Sequence, residues 1–230
     1  MEDLKNILSQ KFSYLTEGLQ SVVYVSEDQK YILKTFKNLE ESREQFSKWG
    51  LDPNEITSEL ITISDISYNL AFDKIREQTA LLHLHMDKSE IGIPFIQLGD
   101  KEVNPTELNF LIQEKVELVR DRLSQLMSGG QLENAKKVFD DIILFITKLW
   151  EKGITEDTFN WDHNYGYGKD GNLVQIDVGT FREGKQYIDE EIKNRKLLDS
   201  VSSRWLEEKF PELFPYYREK AEEFYSHYDC

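Results

Sequence analysis

The chain is poor in cysteine: Cys230, its last residue, is the only one among 230. A lone cysteine excludes an intramolecular disulfide framework and fits a reducing compartment. Long hydrophobic runs are missing too, and no apolar stretch approaches the roughly 20 residues of a membrane span. The opening Met1-Glu2-Asp3-Leu4-Lys5 lacks the basic start and apolar stretch of a cleavable secretory signal. Positive charge is scarce, with 28 Lys and Arg against 43 Asp and Glu, a formal net charge of −15. That balance argues against nucleic acid as a partner, because phosphate backbones would be repelled. A bound nucleotide is different, since a lysine, loop amides and Mg²⁺ neutralise it locally. The acidic surface serves solubility and would suit a basic protein or cationic substrate. A cytoplasmic protein is expected, with delivery into a host cell as an effector left open.

Several chemistries are absent as well. There is no Gly-x-Ser-x-Gly elbow and no Gly-x4-Gly-Lys-Ser/Thr phosphate loop. His83 and His85 are two apart, which on a helix points them to different faces, and no cysteine is near, so zinc is not expected. No internal repeat or low-complexity tract interrupts the chain.

What is present suffices for a packed core: 39% hydrophobic and 12% aromatic residues. The length suits one generous domain or two small lobes sharing a cleft. Phe12 to Leu15, Val22 to Ser26 and Lys30 to Phe36 read as three strands of a half-buried antiparallel sheet. A charged helix from Asn38 to Gly50 follows. Ser64-Asp65 then opens an amphipathic helix with Ile66, Leu70, Ala71, Ile75, Thr79 and Leu82 on one face. Ile93 to Leu98 and Phe110 to Val116 are two further strands. Ser128-Gly129-Gly130 separates a short helix from a long one at Leu132 to Lys152. The long helix carries a stripe of Ala135, Val138, Phe139, Ile142, Ile143, Ile146, Leu149 and Trp150, capped by Gly153. Beyond residue 185 the pattern is helical and charged, broken by Pro211 and Pro215 before a terminal run from Tyr216 to Tyr228. The aromatic carboxy-terminal residues suit core or partner surface.

The most informative stretch runs from Asn164 to Gly179. Tyr165 to Tyr167 forms a first strand, Lys169-Asp170-Gly171-Asn172 a turn, and Leu173 to Ile176 a buried return strand. A hairpin brings its ends together, so Asn164 and Asp177 emerge side by side. Two oxygen ligands on a short strand pair suit Mg²⁺, which takes few protein ligands and leaves room for phosphate oxygens.

Asn, twelve residues, then Asp-x-Gly resembles the catalytic loop end and metal-binding Asp-Phe-Gly of the protein-kinase-like superfamily, with Val178 in place of Phe. Thr155-Glu156-Asp157 stands where that family has His-Arg-Asp. The stretch Leu15 to Val25 is similar to its glycine-rich hairpin, and Tyr31-Ile32-Leu33-Lys34 to its third strand with the phosphate-contacting lysine. More narrowly, the chain resembles short bacterial kinase-like proteins with a reduced carboxy-terminal lobe. The departures are specific. Of three loop glycines only Gly18 is kept, Asp157 and Asn164 enclose six residues where kinases have four, and no Ala-Pro-Glu follows.

The resemblance implies an α+β, two-lobed kinase-like fold. Residues 1–115 would form an N-lobe with a five-stranded antiparallel sheet plus helices, and residues 116–230 a compact, mainly helical C-lobe. It implies an ATP-dependent phosphotransferase acting on a hydroxyl of an unknown protein or small molecule. The rivals are a pseudokinase or partner-binding module, and an enzyme transferring another group such as AMP. ATP and Mg²⁺ are the implied cofactors. Lys34 would hold the α and β phosphates, with Glu77 as its carboxylate partner and Glu44 as the rival. Gly18, taking positive φ or admitting a phosphate closely, would act with Gln20 and Ser21 at the hairpin tip. Glu114 and Val116, around the Gln113-Glu114-Lys115 hinge, would meet the adenine. Asn164 and Asp177 would hold the metal. Asp157 is the expected base, with Asp162 and then Glu156 as alternatives.

Overall fold

The computed structural model describes residues 4–228; Met1, Glu2, Asp3 and Cys230, used above, lie outside the described residues. The architecture is mixed α+β. The chain divides into two compact units, the first ending at Lys115 and the second beginning at Val116.

The first unit opens with a short helix α1 (Leu4–Leu8), then β1 (Lys11–Glu17), β2 (Ser21–Ser26) and β3 (Tyr31–Phe36). Helices α2 (Leu39–Lys48) and α3 (Ser58–Lys74) follow, then β4 (Leu81–His85), β5 (Ile96–Leu98), β6 (Lys101–Val103) and β7 (Phe110–Glu114). Where five antiparallel strands are expected, seven form one sheet in the order β4-β7-β3-β2-β1-β5-β6. The β1–β5 pair is parallel, because the chain returns to the β1 edge only after crossing both helices. Phe12, Tyr31, Leu33, Ile96, Phe110 and Ile112 pack on one sheet face with Ile7 and Leu8 of α1.

Asn38 caps α2 in a reciprocal capping box with Glu41. Helix α3 starts at Ser58, six residues before the expected Ser64, and ends at Lys74. Its buried face is Ser64, Ser67, Tyr68, Leu70 and Ala71, while Ile66 points outward at 62% exposure. The expected continuation to Leu82 is instead a single 3-10 turn, Arg76–Gln78, and then β4. His83 and His85 therefore lie on a strand, opposite Ile112 and Phe110, and share one face of the sheet.

The second unit begins with β8 (Glu117–Leu118), α4 (Val119–Ser128) and the long α5 (Leu132–Glu151). Helix α5 buries Ala135, Val138, Phe139, Ile142, Phe145, Ile146, Leu149 and Trp150, so Phe145 takes the core place expected of Ile143. Gly153, at φ 74°, turns the chain out of this helix. There follow β9 (Ile154–Glu156), α6 (Trp161–Asn164), β10 (Tyr165–Tyr167), β11 (Leu173–Gln175) and β12 (Phe181–Glu183). The strands make a three-stranded sheet, β11-β10-β8, and a separate β12-β9 pair. Helices α7 (Lys185–Asn194), α8 (Lys196–Asp199), α9 (Val201–Lys209) and α10 (Phe214–Ser226) complete the unit. Pro215 does not break the last helix but sits in its first turn, where a missing N–H costs nothing. Tyr217, Phe224 and Tyr225 of α10 are buried core residues. Among the described residues, no helix is long and apolar enough to cross a membrane.

Candidate functional site

The hairpin forms through local chemistry. Asp170 accepts from the Asn172 amide at 3.0 Å, Gly171 takes φ 79°, and Tyr165, Gly166 and Tyr167 pair with Gln175, Val174 and Leu173. At its open end the Ile176 amide donates to the Asn164 carbonyl at 2.7 Å. Asn164 Nδ2 then donates to Asp177 Oδ2 at 3.4 Å, so the two side chains meet. Both are half-buried. Asp177 Oδ1 also accepts from the Gly179 amide at 3.3 Å, which orients the carboxylate. Turning the Asn164 amide over would present two hard oxygen donors side by side, the donor type Mg²⁺ takes. Among the described residues no group of three His, Cys, Asp or Glu could hold a metal. The pair therefore fits an ion that relies on phosphate and water for its remaining ligands.

The three acidic residues before Asn164 have separate environments. Asp157 accepts from Arg182 Nε at 2.7 Å, each side chain about one-third exposed (31% and 33%). Arg182 lies on β12 opposite Thr155 of β9, so the strand pair delivers it to Asp157. Asp162 is 1% exposed and anchored to α9: Ser202 Oγ donates to its Oδ1 at 2.5 Å and accepts from its amide at 3.2 Å. His163 Nε2 stands 3.2 Å from Asp162 Oδ2, and Arg120 Nη1 lies 3.0 Å from His163 Nδ1. Asp162 is a strut of the loop, not a group offered to an acceptor.

Glu156 is also 1% exposed. Tyr165 donates its hydroxyl to Oε1, and Gln175 Nε2 donates to Oε2 at 2.6 Å. Burial pushes its carboxyl up to about 8 against the lowering effect of the Tyr165 hydrogen bond, with the Asp177 charge adding to the rise. Glu156 has no route to a substrate hydroxyl as a base.

In the first unit, Lys34 sits half-buried on β3, opposite Val23 and Leu111 in the middle of the sheet. Glu77 lies beyond the end of α3, exposed on the 3-10 turn, because the helix stops at Lys74. Its rival Glu44 pairs with Lys48 one turn along α2, both exposed. Glu77 is thus not on the amphipathic helix where it is expected, whereas Glu44 does lie on a helix that follows Lys34. Gly18 is not at positive φ, and a Cβ there would meet nothing within 4 Å. The turn is instead held from outside. The Gly18 amide donates to Ser21 at 2.9 Å, and the Lys37 amide to Gln20 at 2.9 Å. Gln20 donates from Nε2 to Ser64 Oγ at 2.7 Å and accepts from Tyr68 at 3.3 Å, so its side chain is committed to α3. The Glu114 amide donates to Ala80 at 3.0 Å, which takes that donor into the sheet. Val116 covers Gly166, so closely that an added Cβ would lie 2.4 Å from its Cγ2.

Lys37 is a residue the sequence reading missed. Its buried ammonium donates to Glu17 at 2.8 Å, the Gly18 carbonyl at 3.0 Å and Gln45 at 3.1 Å. A lysine just past the strand carried no distinguishing signal. Arg182 and Gln175 were missed too, although a glutamine inside the apolar Leu173–Ile176 run is a legible oddity.

No protein-family model matches the sequence, and no curated protein matches it. Among solved structures, the chain is similar to WbdD in co-crystal with the kinase inhibitor LY294002, at 13% identity and a TM-score of 0.43. That match covers 90% of this chain and 44% of that one. The bifunctional kinase-methyltransferase WbdD matches at 13% identity and a TM-score of 0.40, over 88% and 43% of the two chains. The Rv3197–erythromycin complex from Mycobacterium tuberculosis matches at 15% identity and 0.43, over 92% and 55%. The chain thus spans about half the length of these proteins (43–55%). Similarity of this degree assigns no activity.

Proposed function

We propose that this chain is a kinase-like, ATP-dependent phosphotransferase that uses Mg²⁺. The observation that carries the reading is the meeting of Asn164 and Asp177 at the open end of one hairpin. Bound there, Mg²⁺ would neutralise charge on the phosphates of the nucleotide. Asn164 and Asp177 hold it; Lys34 binds the α and β phosphates; Asp157 orients the acceptor hydroxyl. Phosphoryl transfer needs mainly positioning and charge neutralisation, which this residue set supplies. The acceptor is a hydroxyl of a protein or small molecule, and the acidic surface favours a basic protein. A cytoplasmic setting suits a single cysteine.

A second reading, a nucleotide-binding module without transfer, is favoured by the Asp157–Arg182 ion pair and by the commitment of Gln20 to α3. Incubation of the full chain with γ-labelled and α-labelled ATP in parallel separates the readings. Label from the γ position alone, lost in Asp177→Ala, supports the phosphotransferase. Label from the α position indicates AMP transfer. Mg²⁺-dependent ATP binding without transfer to lysate proteins or small molecules favours the binding module.

A further inference from the structure

Behind the Asn164–Asp177 pair lies a buried polar clamp. Tyr165 and Gln175 are directly opposed across the β10–β11 ladder, at the mouth of the hairpin. Tyr165 is the residue after Asn164, and Gln175 comes two before Asp177. Both side chains reach the carboxyl of Glu156 on β9, one to each oxygen. The same Gln175 amide uses its second hydrogen on the Asp177 backbone carbonyl at 3.0 Å. A chain of hydrogen bonds therefore runs from the flank of one candidate ligand, through Glu156, to the backbone of the other.

All three side chains are almost fully buried, Glu156 at 1% and the other two at 0% exposure. Burying a carboxyl, a phenol and an amide together costs desolvation that apolar residues of the same volume would not incur. Both Glu156 oxygens and the Gln175 amide hydrogens are used, while Gln175 Oε1 is left without a hydrogen-bond partner; the bonds that are made favour one geometry. Here the geometry they favour is the separation of the two hairpin ends.

We propose that Glu156 is a positioning residue for the metal site. It acts through Tyr165 and Gln175, holding Asn164 and Asp177 at the spacing at which both present oxygen to one divalent cation. The proposal rests on the reading that this pair binds Mg²⁺, and it gives a role to the residue that stands where the resemblance has Arg.

The test uses Mn²⁺ as the probe, with the full chain and saturating ADP, and free Mn²⁺ read by electron paramagnetic resonance. Wild type must bind Mn²⁺ and Asp177→Ala must lose it; failure of either sinks the metal-site reading itself. Given that result, Glu156→Leu removes both acceptors of the clamp while keeping a side chain of similar bulk. The Tyr165 hydroxyl and one hydrogen of the Gln175 amide then lose their shared anchor behind the two ligands. Glu156→Leu is expected to weaken Mn²⁺ binding by about 10-fold or more, the range seen when groups behind metal ligands are changed. Leu213→Ala, a buried core truncation before α10, serves as the stability control. It should lower the melting temperature at least as much while leaving the Mn²⁺ dissociation constant within about twofold of wild type. Wild-type Mn²⁺ affinity in Glu156→Leu, or a loss matched by Leu213→Ala, overturns the proposal. Should Glu156→Leu not fold, Tyr165→Phe decides. It deletes one hydroxyl and keeps the ring on Phe145, whose centroid is 5.0 Å away. A loss of about threefold or more supports the clamp, and unchanged affinity overturns it.

Discussion

Arg182 donates from Nε to the Asp157 carboxylate at 2.7 Å, joining the expected base to the strand that follows Asp177-Val178-Gly179. Both groups are about one-third exposed (33% and 31%), so water screens the pair. Arg182→Ala should therefore cost about 1 kcal/mol or less of stability, read by urea denaturation. Its effect on transfer should be larger, about tenfold or more in kcat, because a freed Asp157 no longer holds one orientation toward the acceptor. Unchanged turnover would remove Asp157 from the reaction or Arg182 from its positioning.

Asp177→Ala leaves the hairpin ladder intact but deletes the only carboxylate of the Asn164–Asp177 pair. Mg²⁺-dependent nucleotide binding should fall strongly and γ-phosphoryl transfer by about a hundredfold or more. Calorimetric titration of ATP with and without Mg²⁺ checks it, since only the metal-dependent part should disappear.

The metal-free protein should lose stability as pH rises toward 8. Glu156 keeps its proton in the folded state up to about 8, whereas the unfolded chain releases it near the ordinary value of 4.5. Glu191, lifted to about 7 by burial despite its hydrogen bond from Tyr225, acts in the same direction up to that pH. Between these limits the folded state binds more protons, so its advantage is complete at the acid end and lost through pH 7 to 8. The slope approaches about 1.4 kcal/mol per pH unit for each such proton. Urea midpoints from pH 5 to 9 should fall accordingly, and Glu156→Gln should flatten the part above pH 7.

Gly166 is fixed by close approach. An added Cβ would lie 2.4 Å from Val116 Cγ2 and 2.7 Å from the Glu117 carbonyl oxygen. Gly166→Ala must push β8 off β10, so a loss of about 1–3 kcal/mol is expected in thermal unfolding. Gly18→Ala should be close to neutral, because that site is open and not at positive φ.

Lys37 holds the β1–β2 turn through Glu17, the Gly18 carbonyl and Gln45. Lys37→Met keeps the stem and deletes the three bonds. The melting temperature should drop by about 2–8 °C, with faster amide exchange at Gly18, whose turn loses its anchor. Protection unchanged at Gly18 would show that the turn closes without the lysine.

Turn chemistry and helix periodicity are local, and they are what the chain displays openly. Lys169-Asp170-Gly171-Asn172 marks a turn within four residues, so the hairpin and the adjacency of its ends follow. The stripe on α5 is legible for the same reason, since its period lies within one segment. Strands β4, β6 and β8 were not legible. β4 and β8 gain their hydrogen bonds from partners far along the chain, β7 and β10, while β6 is only three residues long and pairs with the adjacent β5. The end of α3 at Lys74 was hidden too, because Ile75, Thr79 and Leu82 continue a helical spacing that the sheet overrides.

The hairpin, the long helix and the strongly acidic balance are written locally in the chain, since short-range sterics, periodicity and charge specify them. Three carboxylates, Glu156, Asp157 and Asp162, fall within seven residues, and the resemblance alone ranks them as bases. Their environments diverge only once distant segments fold onto them. Glu156 is enclosed with Gln175, 19 residues on; Asp157 meets Arg182, 25 residues on; Asp162 meets Ser202, 40 residues on. A carboxylate takes its chemistry from burial and from its partners, and those partners are delivered by strands and helices that the local sequence does not contain.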